Sequence, residues 1–211
     1  MTRRHSNTVP NRGMGNESIA IIGDGETEKW FFQLLKDVEN IKTPMQYPEA
    51  KGSLDVVLSI VQDVMSRGFT KVYWLVDFDV IVKEERERKK GTPSVIAKFF
   101  EAKTKLEHQY VNKLVILINN PCLEYWYLLH YKETSKYYEK YDELKPELCK
   151  YLANYEKNEK YYKGGKENLY QKLVPMLNIA QSRAEKLTSL DKDDYQKGKA
   201  DIYKVITDLR P

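Results

Sequence analysis

Three short apolar runs, Ser18 to Ile22 (SIAII), Lys71 to Val76 (KVYWLV) and Leu114 to Ile118 (LVILI), are each followed within a few residues by carboxylates. Runs this short and this apolar suit strands covered on both faces, as in a parallel sheet. Between them the apolar spacing changes to that of a helix face: Trp30, Phe31, Leu34, Leu35 and Val38, then Leu54, Val57, Leu58, Val61, Val64 and Met65. Thr27 is the expected cap of the first helix, Ser53 opens the second, and Gly68 ends it. Thr43 to Pro48 reads as a short edge strand. Lys83 to Gly91 reads as a charged loop, and Thr92-Pro93 as the cap of a third helix carrying Val95, Ile96, Phe99 and Phe100. Strand and helix in alternation predict βαβ units and an α/β fold with a mostly parallel sheet.

The 211 residues suit one domain of ordinary size with an appendage. The expected organisation is a flexible basic arm over residues 1–16, an α/β core over 17–131, and a mainly helical extension over 132–211 packed on that core. From about Leu123 only helical patterns are visible. Nine of the 16 tyrosines fall between Tyr131 and Tyr170, interleaved with Lys and Glu. One reading is an exposed helical hairpin with its tyrosines along one side. The other is a surface for a partner or for single-stranded nucleic acid, with aromatics stacking on bases. Arg3, Arg4 and Arg12 of the arm are candidates for nucleic-acid contact, with a disordered terminus as the other reading.

The acids carry the functional signal. Asp24, Glu26 and Glu28 follow the first apolar run, Asp77 and Asp79 the second, and Glu124 the third. In an open parallel sheet the carboxyl ends of the strands share one edge, where ligands bind, so these clusters converge there. Such convergence is unfavourable without cations, and hard oxygen ligands suit Mg2+ or Mn2+, with room for two ions. Each cluster alone has a plainer reading. An Asp-x-Asp can cap the next helix, Glu28 can complement a helix dipole, and Glu26 can simply be solvated.

Other chemistries are less well supported. Gly23-Asp24-Gly25 begins like a dinucleotide-binding turn, but Glu28 stands where its third glycine belongs, and three acids occupy the place of a pyrophosphate. There is no GxxxxGK[ST]. Three histidines make a histidine-rich zinc site unlikely on composition. Cys122 and Cys149 have no CxxC spacing, which points to a reducing cytoplasm. The first sixteen residues lack the apolar core of a signal peptide, and no apolar run approaches the roughly 20 residues of a membrane span, so no membrane is expected. A net charge of +4 permits a nucleic-acid partner without requiring one.

In Asn119 to His130 (NNPCLEYWYLLH), Asn120 is the expected cap and Pro121 the first helical residue, which sets Glu124 in the first turn facing the strand ends. His130 reads as a packed histidine and Cys122 as a small buried hydrophobe. GDGETEKWFF, VDFD, NNPCLEYWYLLHY and NIAQSRAEKL together resemble the RloB family of bacterial restriction and abortive-infection loci, from about Ile19 to Leu187. That family is similar to Toprim nucleases of the OLD type. The resemblance implies a Toprim-like core, a catalytic role for Asp24 and Glu28, and metal held by Asp24, Glu28, Asp77 and Asp79, with Glu124 a further candidate. It also implies an ATPase partner encoded nearby and a role against phage. The family motif often has Glu where this chain has Asp24. The leading expectation is a metal-dependent nuclease subunit acting on DNA or RNA. The alternatives are a non-catalytic regulatory or scaffold subunit, and a glycosyltransferase that uses Asp77-Phe78-Asp79.

Overall fold

The computed structural model describes residues 18–210; the basic arm, with Arg3, Arg4 and Arg12, lies outside them. The first half runs β1 (Ile19–Ile22), α1 (Glu26–Val38), β2 (Met45–Gln46), α2 (Leu54–Ser66), β3 (Lys71–Asp77), α3 (Phe78–Glu87), α4 (Val95–Gln109) and β4 (Leu114–Asn120). The second half is α5 (Glu124–Tyr131), α6 (Tyr141–Leu148), α7 (Glu159–Lys163), α8 (Leu169–Leu173), α9 (Leu177–Glu185), β5 (Lys199–Ala200) and α10 (Tyr203–Leu209). A single 3-10 turn, Val174–Met176, joins α8 to α9.

The five strands form one sheet in the order β2-β1-β3-β4-β5, parallel except for β5. Both faces are covered, which is why the strands read as continuous apolar runs. Alternation divides their side chains between two cores. Ile19, Ile21, Tyr73, Leu75 and Leu117 join α1, α5 and the later helices on one side. Ala20, Ile22, Val72, Trp74, Val76, Ile116 and Ile118 join α2, α3 and α4 on the other. Helix α5 is buried at every position from Glu124 to His130, so it has no solvent face. That burial explains a sequence apolar all round rather than striped.

Met45–Gln46 is the expected edge strand. Several local expectations are corrected. Lys83 to Glu87 is helical, because Ile81 and Val82 bury their side of α3 and carry its charged face with them. Helix α4 is capped by Ser94, whose hydroxyl accepts from Ala97 N at 3.2 Å, and not by Thr92-Pro93. Gly25 precedes α1, leaving Thr27 inside the helix with its hydroxyl donating to Glu28 Oε1 at 3.1 Å. Asn120 ends β4 instead of capping a helix; its Nδ2 donates to the carbonyls of Tyr195 (2.8 Å) and Lys197 (2.9 Å), and α5 begins only at Glu124.

The region beyond Leu123 is not purely helical, since Lys199–Ala200 pairs with Asn119 and Asn120. Nor is the tyrosine-rich stretch an exposed hairpin. Tyr138, Tyr155, Tyr162 and Tyr170 are buried in the core shared with α1 and α5. A phenol packed in such a core keeps its ring among apolar neighbours while its hydroxyl finds a hydrogen-bond partner. Tyr170 donates to Glu39 Oε1 at 2.8 Å, and Tyr73 donates to Asp208 Oδ2 at 2.8 Å.

Candidate metal centre

Strand β1 ends at Ile22, the backbone of Gly23 just beyond it bridges to Glu49, and the chain turns at Asp24 and Gly25 into α1. Glu28 lies in the first turn of that helix and folds back over Gly23. A β-carbon added at Gly23 would stand 3.0 Å from both Cβ and Cγ of Glu28, tighter than van der Waals contact. The glycine therefore makes room for the carboxylate. From the neighbouring strand, Asp77 ends β3 and precedes α3, and its Oδ1 accepts from Leu123 N at 3.0 Å. Asp24, Glu28 and Asp77 each offer an oxygen within 4.8 Å of the others. They gather where β1 and β3 lead in opposite directions across the sheet, the switch point at which open α/β sheets bind ligands.

Burial and mutual repulsion both disfavour charge here. The Glu28 carboxyl is 3% exposed and pushed up to about 8, by burial first and the charge of Asp24 second. Burial raises Asp24, partly offset by Lys157, and raises Asp77 well above the usual range with help from Asp24 and Glu28. Glu28 Oε2 is buried without a hydrogen-bond partner among the described residues. An orphaned carboxylate oxygen facing two further acids fits a cation, and an all-carboxylate donor set fits a hard one such as Mg2+ or Mn2+.

Asp79 and Glu124 stand on the same edge but outside this group of three. Asp79 is pushed up to about 6 by burial, against the pull of Lys157. Glu124 is wholly buried and engaged on both oxygens: Tyr155 donates to Oε1 at 2.7 Å, and Lys157 Nζ lies 3.0 Å from Oε2. Glu26 is exposed and paired with Lys29. His130 is buried, with Nδ1 2.9 Å from the Trp126 carbonyl, and desolvation lowers it to about 4, so it is packed and neutral. Cys122 is buried and its thiol is raised by that burial, which makes it unreactive.

Two neighbours that the sequence reading did not include, Lys157 and Asn119, complete the surroundings of the acids. Lys157, between α6 and α7, holds its ammonium 4.2 Å above the Tyr141 ring and bears electrostatically on Asp24, Glu28, Asp77 and Asp79. Burial lowers its affinity for a proton, but Glu124 and the surrounding acids outweigh this and hold it charged. Nothing around KNEK distinguishes it from the other lysines of the stretch. Asn119 pairs with Asp77 across β3 and β4, is wholly buried, and leaves both side-chain polar atoms without partners among the described residues. Strand alternation after LVILI puts it on the Asp77 side of the sheet, a signal that was available.

The fold and site define an α/β protein with a mostly parallel sheet and a carboxylate cluster at its strand ends. The family model described as RloB-like protein matches residues 19–209, and the chain belongs to that family. No curated protein and no solved structure matches it.

Proposed function

We propose that this chain is a divalent-metal-dependent nuclease with a Toprim-like core. The observation that carries the reading is the meeting of Asp24, Glu28 and Asp77 within 4.8 Å at the β1/β3 switch point, with a buried Glu28 oxygen left unpartnered. These three residues would hold Mg2+ or Mn2+, and Asp79 on the same edge is the candidate for a second ion. When bound, the metal supplies Lewis acidity toward a phosphoryl oxygen and makes water more acidic. Asp24, partly buried at the turn into α1, would take a proton from the attacking water. Lys157 brings positive charge to the rim of the site, where a phosphodiester would add negative charge. Hydrolysis forms one P–O bond from water and breaks the bond to a sugar oxygen, which leaves with a proton.

The family resemblance supports placing this activity in a cytoplasmic bacterial anti-phage or abortive-infection system, with an ATPase encoded nearby as its partner. The test is to incubate the full chain, alone and with that ATPase, with plasmid, single-stranded DNA and tRNA in Mg2+ or Mn2+. Asp77→Ala and Asp24→Ala proteins run alongside. Metal-dependent cleavage lost in both variants is the expected result. No cleavage in any combination, with no metal binding by calorimetry, would leave the chain a regulatory or scaffold subunit.

A further inference from the structure

Beside the acid cluster, between α2 and α3, lies an open cavity of about 100 Å3. One water takes about 10–15 Å3 of such space, so the cavity has room for a group the size of a ring system. Its walls are Leu54 and Val57 from α2 and Val80 and Ile81 from α3, with Trp74 from β3. The walls are mainly apolar, yet Asp24 and Asp77 belong to them too. Whatever enters the slot thus has one end against the acids.

Two polar groups add chemistry. Glu84 accepts from Leu54 N at 2.9 Å through Oε2, while its other oxygen takes no hydrogen bond among the described residues. That oxygen is an acceptor for an amino group on a ring edge. Lys51, also on the lining, is exposed and pairs with Glu49 at the surface, within reach of a passing anion. Val80, 39% exposed, leaves an apolar rim open to solvent.

We infer that this cavity receives one unpaired nucleobase of a single-stranded nucleic acid, placing the adjoining phosphodiester over Asp24 and Asp77 and a flanking phosphate near Lys51. A base seated there has left its stack and its pairing partner, so the substrate is a loop, a single strand or a frayed end rather than intact duplex. The inference rests on the nuclease reading only for what happens to the phosphodiester; the slot and its apolar walls are independent of it.

The probes are adenosine, cytidine and their 2′-deoxy forms, whose bases carry amino groups, with ribose as the control. Each is titrated into the full chain, once with chelator and once with Mg2+. The indole N–H resonance of Trp74 is followed by NMR and assigned by its loss in Trp74→Phe. Saturable movement of that resonance by nucleosides and not by ribose is expected, with at least tenfold weaker binding in Val80→Trp, which fills the rim. Should Val80→Trp fail to fold by circular dichroism, Val80→Ser replaces it, with several-fold weakening expected. The sugar form that binds more tightly identifies the nucleic acid. Absence of a saturable shift, equal shifts from ribose, or unchanged affinity in the Val80 variant overturns the inference. Calorimetry of Mg2+ in the same samples separates the two ideas: nucleosides bound without metal binding retain the slot and remove the metal centre, and the reverse retains the metal centre alone.

Discussion

Lys157 Nζ lies 3.0 Å from Glu124 Oε2, which ties a lysine about one-third exposed to a carboxylate with no exposure at all. The asymmetry decides what each partner is worth. Removing the lysine strands a buried charge, a loss that reaches about 3–5 kcal/mol for fully buried pairs. Solvent near Lys157 screens part of it, so Lys157→Met is expected to cost about 2 kcal/mol in urea unfolding at pH 7, and Lys157→Arg less. Mg2+ affinity should rise several-fold in Lys157→Met, because a competing cation has gone, while cleavage falls at least tenfold. Weaker Mg2+ binding in a folded Lys157→Met protein would contradict this placement of the lysine.

Stability of the metal-free protein should fall as pH rises. Glu28 has its folded value raised to about 8 from an ordinary 4.5, so the folded state holds more protons than the unfolded state between those values. The stabilisation is complete below about pH 4.5 and gone above about pH 8, a change on the order of 5 kcal/mol. Asp24 and Asp77 are raised too and act in the same direction. Thermal melts in chelator at pH 5.5 and 8.5, compared with Glu28→Gln, read this directly. The variant should show the shallower slope.

Divalent metal should reverse that trend. Carboxylates bind a cation in their charged form, so Mg2+ is expected to raise the melting temperature more at pH 8.5 than at pH 5.5. An equal shift at both pH values would place the ion elsewhere.

Gly23→Ala is expected to damage the site while sparing most of the fold. The new methyl would press on Glu28 Cβ and Cγ, so the carboxylate must shift to accommodate it. Calorimetry should show Mg2+ affinity reduced by about tenfold, roughly the equivalent of 1.4 kcal/mol. Unchanged affinity would mean that Glu28 is not a ligand.

Tyr155→Phe tests the support behind the rim lysine. Its hydroxyl donates to Glu124 and lies 2.7 Å from the Tyr162 hydroxyl, which in turn lies 3.2 Å from that of Tyr127. Loss of the buried donor should cost about 1–3 kcal/mol in urea unfolding. Tyr127→Phe, at the far end of the chain of phenols, should cost less.

The parallel sheet was legible because SIAII, KVYWLV and LVILI are buried on both faces, and composition alone then separates them from amphipathic helices. Asp24, Glu28 and Asp77 were legible for the same reason: position after a strand fixes which edge an acid occupies. Lys157 was not, since it reaches the site through tertiary packing of short helices with no period to follow. Tyrosines among lysines and glutamates look like surface, and only the burial of Tyr155 and Tyr162 against α5 shows otherwise. Strand β5 is two residues long and carries no alternation to detect.

That two-residue strand bears on how the chain is made. Translation delivers Asp24, Glu28 and Asp77 well before Lys157, and both before Lys199 and Ala200 close the free side of β4. A ribosome-bound intermediate stopped near residue 150 would therefore have its acids without the lysine that offsets them and an unpaired strand edge open to other chains. Synthesis must run past residue 200 before that edge is sealed, so nicks or premature stops ahead of Lys199 should surface as aggregation in the cell rather than as a smaller working protein.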